Sequence, residues 1–283
     1  EYPLVTERLS AAVEQARAAG LLGGSVAASG QAFDIEIRRG AGAYICGEET
    51  ALFNSIEGFR GEPRNKPPYP TDSGLFGEPT VVNNPETLLN VLDVLEKGWK
   101  RYRERGTERS TGHRLFCVSG HVAEPGLYEA PFGLTLGELL ELAGGVTGTA
   151  RAILLCGAAG AFVGPDSLDL RLTLEDARAA GLTLGSGVVT VFDDTVDMRD
   201  VVTRIAEFFR EESCGQCVPC RVGTVRQHEV LVEMGPSGPL SANRRTLIDD
   251  MAAAMADASI CGLGHTAASA VRSAIELGLL EAR

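Results

Sequence analysis

The run Glu212-Ser213-Cys214-Gly215-Gln216-Cys217-Val218-Pro219-Cys220-Arg221 constrains this chain more than any other feature. Thiols at every third position let one loop wrap a corner of an iron–sulfur cubane, and Cys261, 41 residues after Cys220, supplies a remote fourth. Three close cysteines plus a distant one is a common way to hold such a cluster. Gly215 relieves crowding beside the first thiol, Pro219 stiffens the loop, and Arg221 offsets the charge of four thiolates. Structural zinc favours two separated pairs of ligands rather than a triplet. A [4Fe–4S] cluster on Cys214, Cys217, Cys220 and Cys261 is therefore the expectation, with a zinc-stabilised interaction module as the alternative. Cys46, Cys117 and Cys156 lie singly in apolar stretches and read as small buried side chains.

Composition narrows the setting. The chain has 283 residues and is 44% hydrophobic, enough for two or three packed domains. A net charge of −12 argues against nucleic acid and anionic membrane surfaces as partners. The longest apolar stretch, Ala152 to Gly164, is too short for membrane insertion. Seven cysteines, three of them clustered, do not suit the disulfide framework of a small secreted protein. A reducing compartment, the cytoplasm, is expected.

Three regions differ in texture: an α/β region over 1–110, a small α+β region over 111–195 and a helical region over 196–283. In the first, Leu9–Ala19 reads as a helix, and Phe33–Arg38 alternates like a half-buried strand. A helix starts at Glu48, Thr80-Val81-Val82 reads as a short strand, and Asn84 with Pro85 opens a helix to about Lys97. In the second, strands are expected over His113–Gly120, Arg151–Val163 and Val188–Phe192, with a Thr135…Glu138 capping box opening a helix through Leu142. In the third, Val201, Ile205, Phe208 and Phe209 recur at helical spacing, as do Leu247, Met251 and Met255 after a Ser241 cap. A last helix over about Thr266–Leu280 completes a four-helix bundle with two cysteine-bearing loops.

Two further segments invite ligands. Gly40-Ala41-Gly42-Ala43-Tyr44-Ile45-Cys46-Gly47-Glu48-Glu49-Thr50 is a Gly-rich turn into a helix, where small residues let a planar or phosphorylated group approach the backbone. Tight packing explains such a turn equally well. Its two carboxylates suit ribose hydroxyls or a carboxamide better than phosphate. Asn83 and Asn84 both donate and accept hydrogen bonds, as a flavin edge requires, although Asn84 needs only its capping role. Tyr69, on the stiff loop Lys66-Pro67-Pro68-Tyr69-Pro70, presents a ring for stacking or simply tips a surface loop.

Taken in order and spacing, Gly40–Leu52, Lys66–Pro70, Val82-Asn83-Asn84, and Glu212–Gly223 with Cys261 resemble one family over essentially the whole chain. This is the flavin-containing NADH-binding subunit of respiratory complex I and its soluble relatives in NAD-dependent formate dehydrogenases and NAD-coupled hydrogenases. The resemblance implies a partial FMN-binding α/β domain, a β-grasp domain and a cluster-bearing four-helix bundle. It implies FMN contacts from Tyr44, Gly47, Glu48, Asn83, Asn84 and Thr87. Glu49 is implied on the nicotinamide side of NAD(H), and Tyr69 near the adenine. No side chain need act as acid or base, since a flavin carries the hydride chemistry. The implied partners are a small thioredoxin-like [2Fe–2S] subunit and a catalytic subunit.

The family's earlier Gly-rich phosphate-cradling segment has no match here, and Glu1 falls roughly where the segment after it would lie. The chain is thus expected to be a portion of a longer protein. Ile260-Cys261-Gly262-Leu263-Gly264-His265-Thr266 looks more like the soluble members, and the formate dehydrogenase β subunit is favoured. A hydrogenase or complex I module is the alternative, and a cluster-bearing wire without flavin is the alternative of another class.

Overall fold

A computed structural model describes residues 2–235, 238 and 240–281. It is a mixed α/β structure that divides into two compact units, Glu1–Thr80 and Val81–Arg283.

In the first unit, α1 (Pro3–Ala18) starts with Pro in its first turn, and α2 (Glu49–Glu57) ends at Gly58 in the left-handed conformation. The buried apolar side chains are few: Leu22, Ile45, Ala51 and Phe53. The alternating run Phe33–Arg38 is not a strand. Its one backbone pairing is a bridge between Phe33 and Gly23, and Phe33 and Ile35 are exposed. Period-two patterning needs a neighbouring strand to become a ladder, and none pairs with it among the described residues. Thr80-Val81-Val82 likewise forms no strand.

The second unit opens with α3 (Pro85–Lys97), capped as expected: the Asn84 side chain accepts from the Glu86 N–H at 2.8 Å. A short α4 (Trp99–Arg103) follows. Then comes a five-stranded sheet, β1 (His113–Gly120), β2 (Gly126–Pro131), β3 (Ala150–Leu155), β4 (Ala161–Val163) and β5 (Val188–Asp193), in the order β2-β1-β5-β3-β4. β1 and β5 run parallel, and the other pairs are antiparallel. Arg151–Val163, expected as one strand, is the β3–β4 hairpin folded at Gly157–Ala159. Phe116 and Val118 on β1 and Val189 and Val191 on β5 alternate inward onto Leu136, Leu139 and Leu140 of α5 (Leu136–Leu142). α5 carries the Thr135–Glu138 capping box, and α6 (Leu174–Ala179) is capped by Thr173. Cys117, between two inward residues, points outward and is exposed, correcting its reading as a buried side chain. Cys156 is buried as expected.

Five helices follow among the described residues: α7 (Met198–Glu212), α8 (Val218–Met234), α9 (Ala242–Ala258), α10 (Gly262–Thr266) and α11 (Ser269–Glu276). Met198, Val202, Ile205, Ala206 and Phe209 bury one face of α7, at about 1.5–3 kcal/mol for each large side chain. α8 packs on α7 and α9, and α11 leans on α7, α9 and strand β4. Of the final helix expected over 266–280, only the stretch Ser269–Glu276 forms, as α11, while α10 is a separate short helix that ends where the expected one begins. This separation lets Cys261 cap the short α10 while α11 turns away to cover the sheet edge. No helix among the described residues is long and apolar enough to cross a membrane.

Candidate functional site

The cysteine loop is a helix-to-helix corner. α7 ends at Ser213, Cys214 and Gly215 follow, and Cys217 is the N-cap of α8. Gly215 turns the chain at φ 76°, a conformation that only glycine adopts without strain. Arg221 Nη1 donates to the Gly215 carbonyl at 2.6 Å, so the arginine clamps the loop. Cys220 lies in the first turn of α8 and is buried. Cys261, also buried, is the N-cap of α10. Two helix N-termini thus each present a cysteine.

Close packing sets this corner. A Cβ on Gly223 of α8 would stand 2.6 Å from Met255 Cγ and Sδ of α9, so the Met255 side chain packs directly on the α8 backbone there. A Cβ on Gly264 would stand 2.2 Å from Ser259 Oγ and 3.1 Å from Cys220 Cβ. Gly264 is therefore the spacer that lets α10 sit against both Cys220 and Ser259. Thr224 Oγ1 donates to the Cys220 carbonyl at 2.8 Å, and Gln227 Nε2 to the Ala267 carbonyl at 3.0 Å.

The electrostatics fit an anionic ligand set around a cation-rich body. Burial first, and then the charges of Cys217, Cys261 and Cys214, push the Cys220 thiol up to about 11, against a hydrogen bond from Ser213 that lowers it. The other three thiols are thus near enough to act on Cys220. Left to itself, the Cys220 thiol resists ionisation. Iron charge reverses this, because a coordinating thiol is deprotonated outright. Among the described residues no three His, Cys, Asp or Glu side chains form a site for one metal ion. The spacing of the thiols, a triplet plus one remote cysteine, is what favours a cluster over a single zinc. The Ser259 hydroxyl is a second sign of fit: its Oγ is buried with no hydrogen-bond partner. Such a group costs about 1–3 kcal/mol unless something pairs with it.

In the first unit, Tyr44 and Gly47 lie in a 3₁₀ turn before α2, and both are exposed. Glu48 is the N-cap of α2. Its Oε2 accepts from Thr50 N–H at 2.9 Å, Ala51 N–H at 2.8 Å and Thr50 Oγ1 at 2.6 Å. Lys66 Nζ then donates to Glu49 Oε1 at 2.6 Å and Glu48 Oε1 at 3.2 Å. Burial opposes ionisation of Glu48, but the Thr50, Ala51 and Lys66 hydrogen bonds outweigh it, so its carboxyl titrates below the ordinary range. Lys66 is raised, chiefly by its bond to Glu49. Arg64 places this lysine: it donates to Asn54 Oδ1 at 2.8 Å, Glu57 Oε2 at 2.6 Å and the Gly74 carbonyl at 3.1 Å. The loop that follows carries cis bonds at Lys66–Pro67 and Pro67–Pro68 and an exposed Tyr69.

Tyr44, Gly47, Glu48, Glu49 and Tyr69 belong to the first unit, and Asn83, Asn84 and Thr87 to the second, where all three are exposed around the start of α3. Glu48, Glu49 and Lys66 come together directly. Lys66 was visible in sequence only as part of a stiff loop, because a contact spanning 17 or 18 residues has no periodic signature. Ser213 and Ser259 carried no sequence signal of their own, though each stands just ahead of a candidate ligand cysteine.

Residues 200–277 match the family model for the NADH-ubiquinone oxidoreductase-F iron–sulfur binding region, residues 1–93 the Nuo51 FMN-binding domain and residues 115–156 the SLBB domain. An NADH-quinone oxidoreductase subunit of Mycobacterium tuberculosis is 42% identical over 274 residues, covering 96% of this chain and 61% of the relative. The HndC subunit of the NADP-reducing hydrogenase of Solidesulfovibrio fructosivorans is 37% identical, covering 98% of this chain and 57% of the relative. A crystal structure of NAD+-reducing [NiFe]-hydrogenase in the H2-reduced state superposes with a TM-score of 0.86 at 37% identity, covering 100% of this chain and 48% of that one. The chain thus spans about six-tenths of the length of the curated relatives it matches.

Proposed function

Since the chain belongs to the complex I 51 kDa-type family of NADH-binding subunits with FMN and a [4Fe–4S] cluster, we propose that it serves as a diaphorase module. In this role it exchanges reducing equivalents with NAD(H) and relays single electrons to partner subunits. The observation that carries the reading is the convergence of a cysteine loop at the start of α8 with Cys261 at the start of α10, within a segment that matches the family's iron–sulfur region.

Cys214, Cys217, Cys220 and Cys261 are the residues we assign to the cluster. Tyr44, Gly47, Glu48, Asn83, Asn84 and Thr87 are assigned to FMN, and Glu49 and Tyr69 to NAD(H). Bound flavin supplies the hydride and one-electron chemistry. The chain's own part is to position and to balance charge. Glu48 spends one carboxylate oxygen on the α2 cap, which fixes the turn carrying Tyr44 and Gly47. Lys66 bridges Glu48 and Glu49 and offsets one of their two negative charges, leaving carboxylate oxygens able to accept from hydroxyl or carboxamide groups. The domain order we propose is the FMN-binding α/β part over 1–110, a β-grasp domain over 111–195 and the cluster-bearing bundle over 196–283.

Among settings, we favour a cytoplasmic NAD-dependent formate dehydrogenase with a thioredoxin-like [2Fe–2S] partner and a separate catalytic subunit. That preference rests on the run Ile260–Thr266. A natively purified assembly that reduces NAD+ with formate supports it, and one that does so only with hydrogen replaces it by the hydrogenase setting. Anaerobic EPR with NADH tests the module itself. A reduced [4Fe–4S] signal on adding NADH is the expected result. Iron without flavin leaves an electron wire, and zinc in place of iron overturns the reading.

A further inference from the structure

Two serines flank the proposed cluster ligands in matching ways. Ser213 stands one residue before Cys214, and its Oγ lies 3.2 Å from Cys220 Sγ. The same oxygen accepts the Gly215 N–H at 3.3 Å. A cysteine bound to iron carries no proton, so in the loaded protein Ser213 must be the donor of this pair. Ser259 stands two residues before Cys261. Its carbonyl accepts from His265 Nε2 at 2.8 Å, but its buried hydroxyl has no partner. That hydroxyl and Cys220 both crowd the space a Gly264 side chain would fill, the one 2.2 Å and the other's Cβ 3.1 Å from where its Cβ would be. One donor is thus aimed at a ligand sulfur, and a second lies beside the same cysteine with its proton uncommitted.

We propose that the Ser213 and Ser259 hydroxyls donate hydrogen bonds to the sulfur shell of the cluster and hold its reduction potential up, Ser213 through Cys220 Sγ. The inference rests on the diaphorase reading only for the presence of the cluster. Reduction adds one electron and no proton, and the added negative charge resides largely on sulfur. Donors to sulfur therefore stabilise the reduced state more than the oxidised one. Ser213 and Ser259 are positioning residues in this sense, since neither is proposed to bind iron.

EPR-monitored redox titration of the natively purified assembly, with dithionite as reductant, tests this in the wild type, Ser213→Ala, Ser213→Thr and Ser259→Ala. The expected result is a lower midpoint in each alanine variant, by about tenfold in the reduction equilibrium or about 59 mV for one electron. Iron content stays unchanged, and Ser213→Thr restores the wild-type value. An unmoved midpoint in both alanine variants at full iron content overturns the proposal. Proton ENDOR of the reduced wild type in H2O and D2O decides the matter even if a variant loses its cluster. Exchangeable protons coupled to the cluster are expected, and their absence sinks the inference. A wild type without iron would instead bring down the diaphorase reading itself.

Discussion

Cys220 and Cys261 sit among buried neighbours such as Thr224, Gln227 and Ala267, whereas Tyr44 and Tyr69 keep 44% and 56% of their surface exposed. The helical region around 198–276 fixes its cysteines through helix packing so close that two glycines serve as spacers. The first unit fixes Glu48, Glu49 and Lys66 through a cap and ion pairs, over a core of few apolar residues. Chemistry accounts for the contrast. Thiolates around a cluster need a rigid frame, which here buries Cys220 and Cys261 and leaves Cys214 and Cys217 half-buried. A site for an exchanging dinucleotide needs an open face with charges held in place but still reachable.

The largest expected effect breaks the frame. Cys217→Ser and Cys261→Ser are each expected to abolish the reduced-cluster EPR signal and lower iron content. Retained iron in either variant would remove that residue from the ligand set. Next come the glycines, which sharpen the contrast directly. Gly264→Ala places a methyl 2.2 Å from Ser259 Oγ, and overpacking of this kind costs about 1–3 kcal/mol. It should lower the melting temperature and speed iron loss to a chelator. Gly47→Ala meets nothing within 4 Å. It should leave thermal stability alone while reducing flavin content, and a stability loss equal to that of Gly264→Ala would erase the difference between the regions.

Smaller effects probe the open site. Asn84→Ala removes the α3 cap and is expected to cost about 1 kcal/mol, while Asn83→Ala costs nothing comparable. If Asn83→Ala lowers flavin content without changing the melting temperature, Asn83 faces the ligand and Asn84 serves mainly the helix. Lys66→Met should cost up to ~1 kcal/mol at neutral pH, since the pair is about a third exposed and screened by solvent. The sign with pH follows from Glu48, whose folded pKa is depressed. Its contribution is present above the unfolded value and is lost as pH falls through the folded one. The gap between Lys66→Met and wild type should therefore close in acid, and an acid-independent gap in urea unfolding would rule out the ion-pair account.

Local rules made much of this fold readable. Asn84-Pro85, the Thr135–Glu138 box and Ser241 sit at helix starts because a cap is decided within four residues of sequence. β1 and β5 were legible from apolar runs. β2, with Gly126 at one end and Pro131 at the other, was not, since it becomes a strand only by pairing with β1. Phe33–Arg38 failed in the opposite sense, with the right alternation but no partner. The cysteine pattern was legible because a cluster dictates ligand spacing through its own shape. The Lys66 clamp joins side chains 17 and 18 residues apart, and the serine hydroxyls owe their places to how the loop and helix ends fold back, which no residue pattern announces.

The corner at Gly264 has a consequence for how the chain reaches its native state. Cys220 and Cys261 bracket most of α8 and all of α9, so a metal body gripping both is a cross-link closing a loop of about forty residues. By the chain-entropy estimate for a link of this size, that closure withholds roughly 4 kcal/mol of freedom from the unfolded ensemble. With both cysteines as ligands, assembly of the cluster would lock the start of α8 to the start of α10. Loss of iron, as by oxidative damage, would do more than interrupt an electron path: it would unfasten the tertiary structure there.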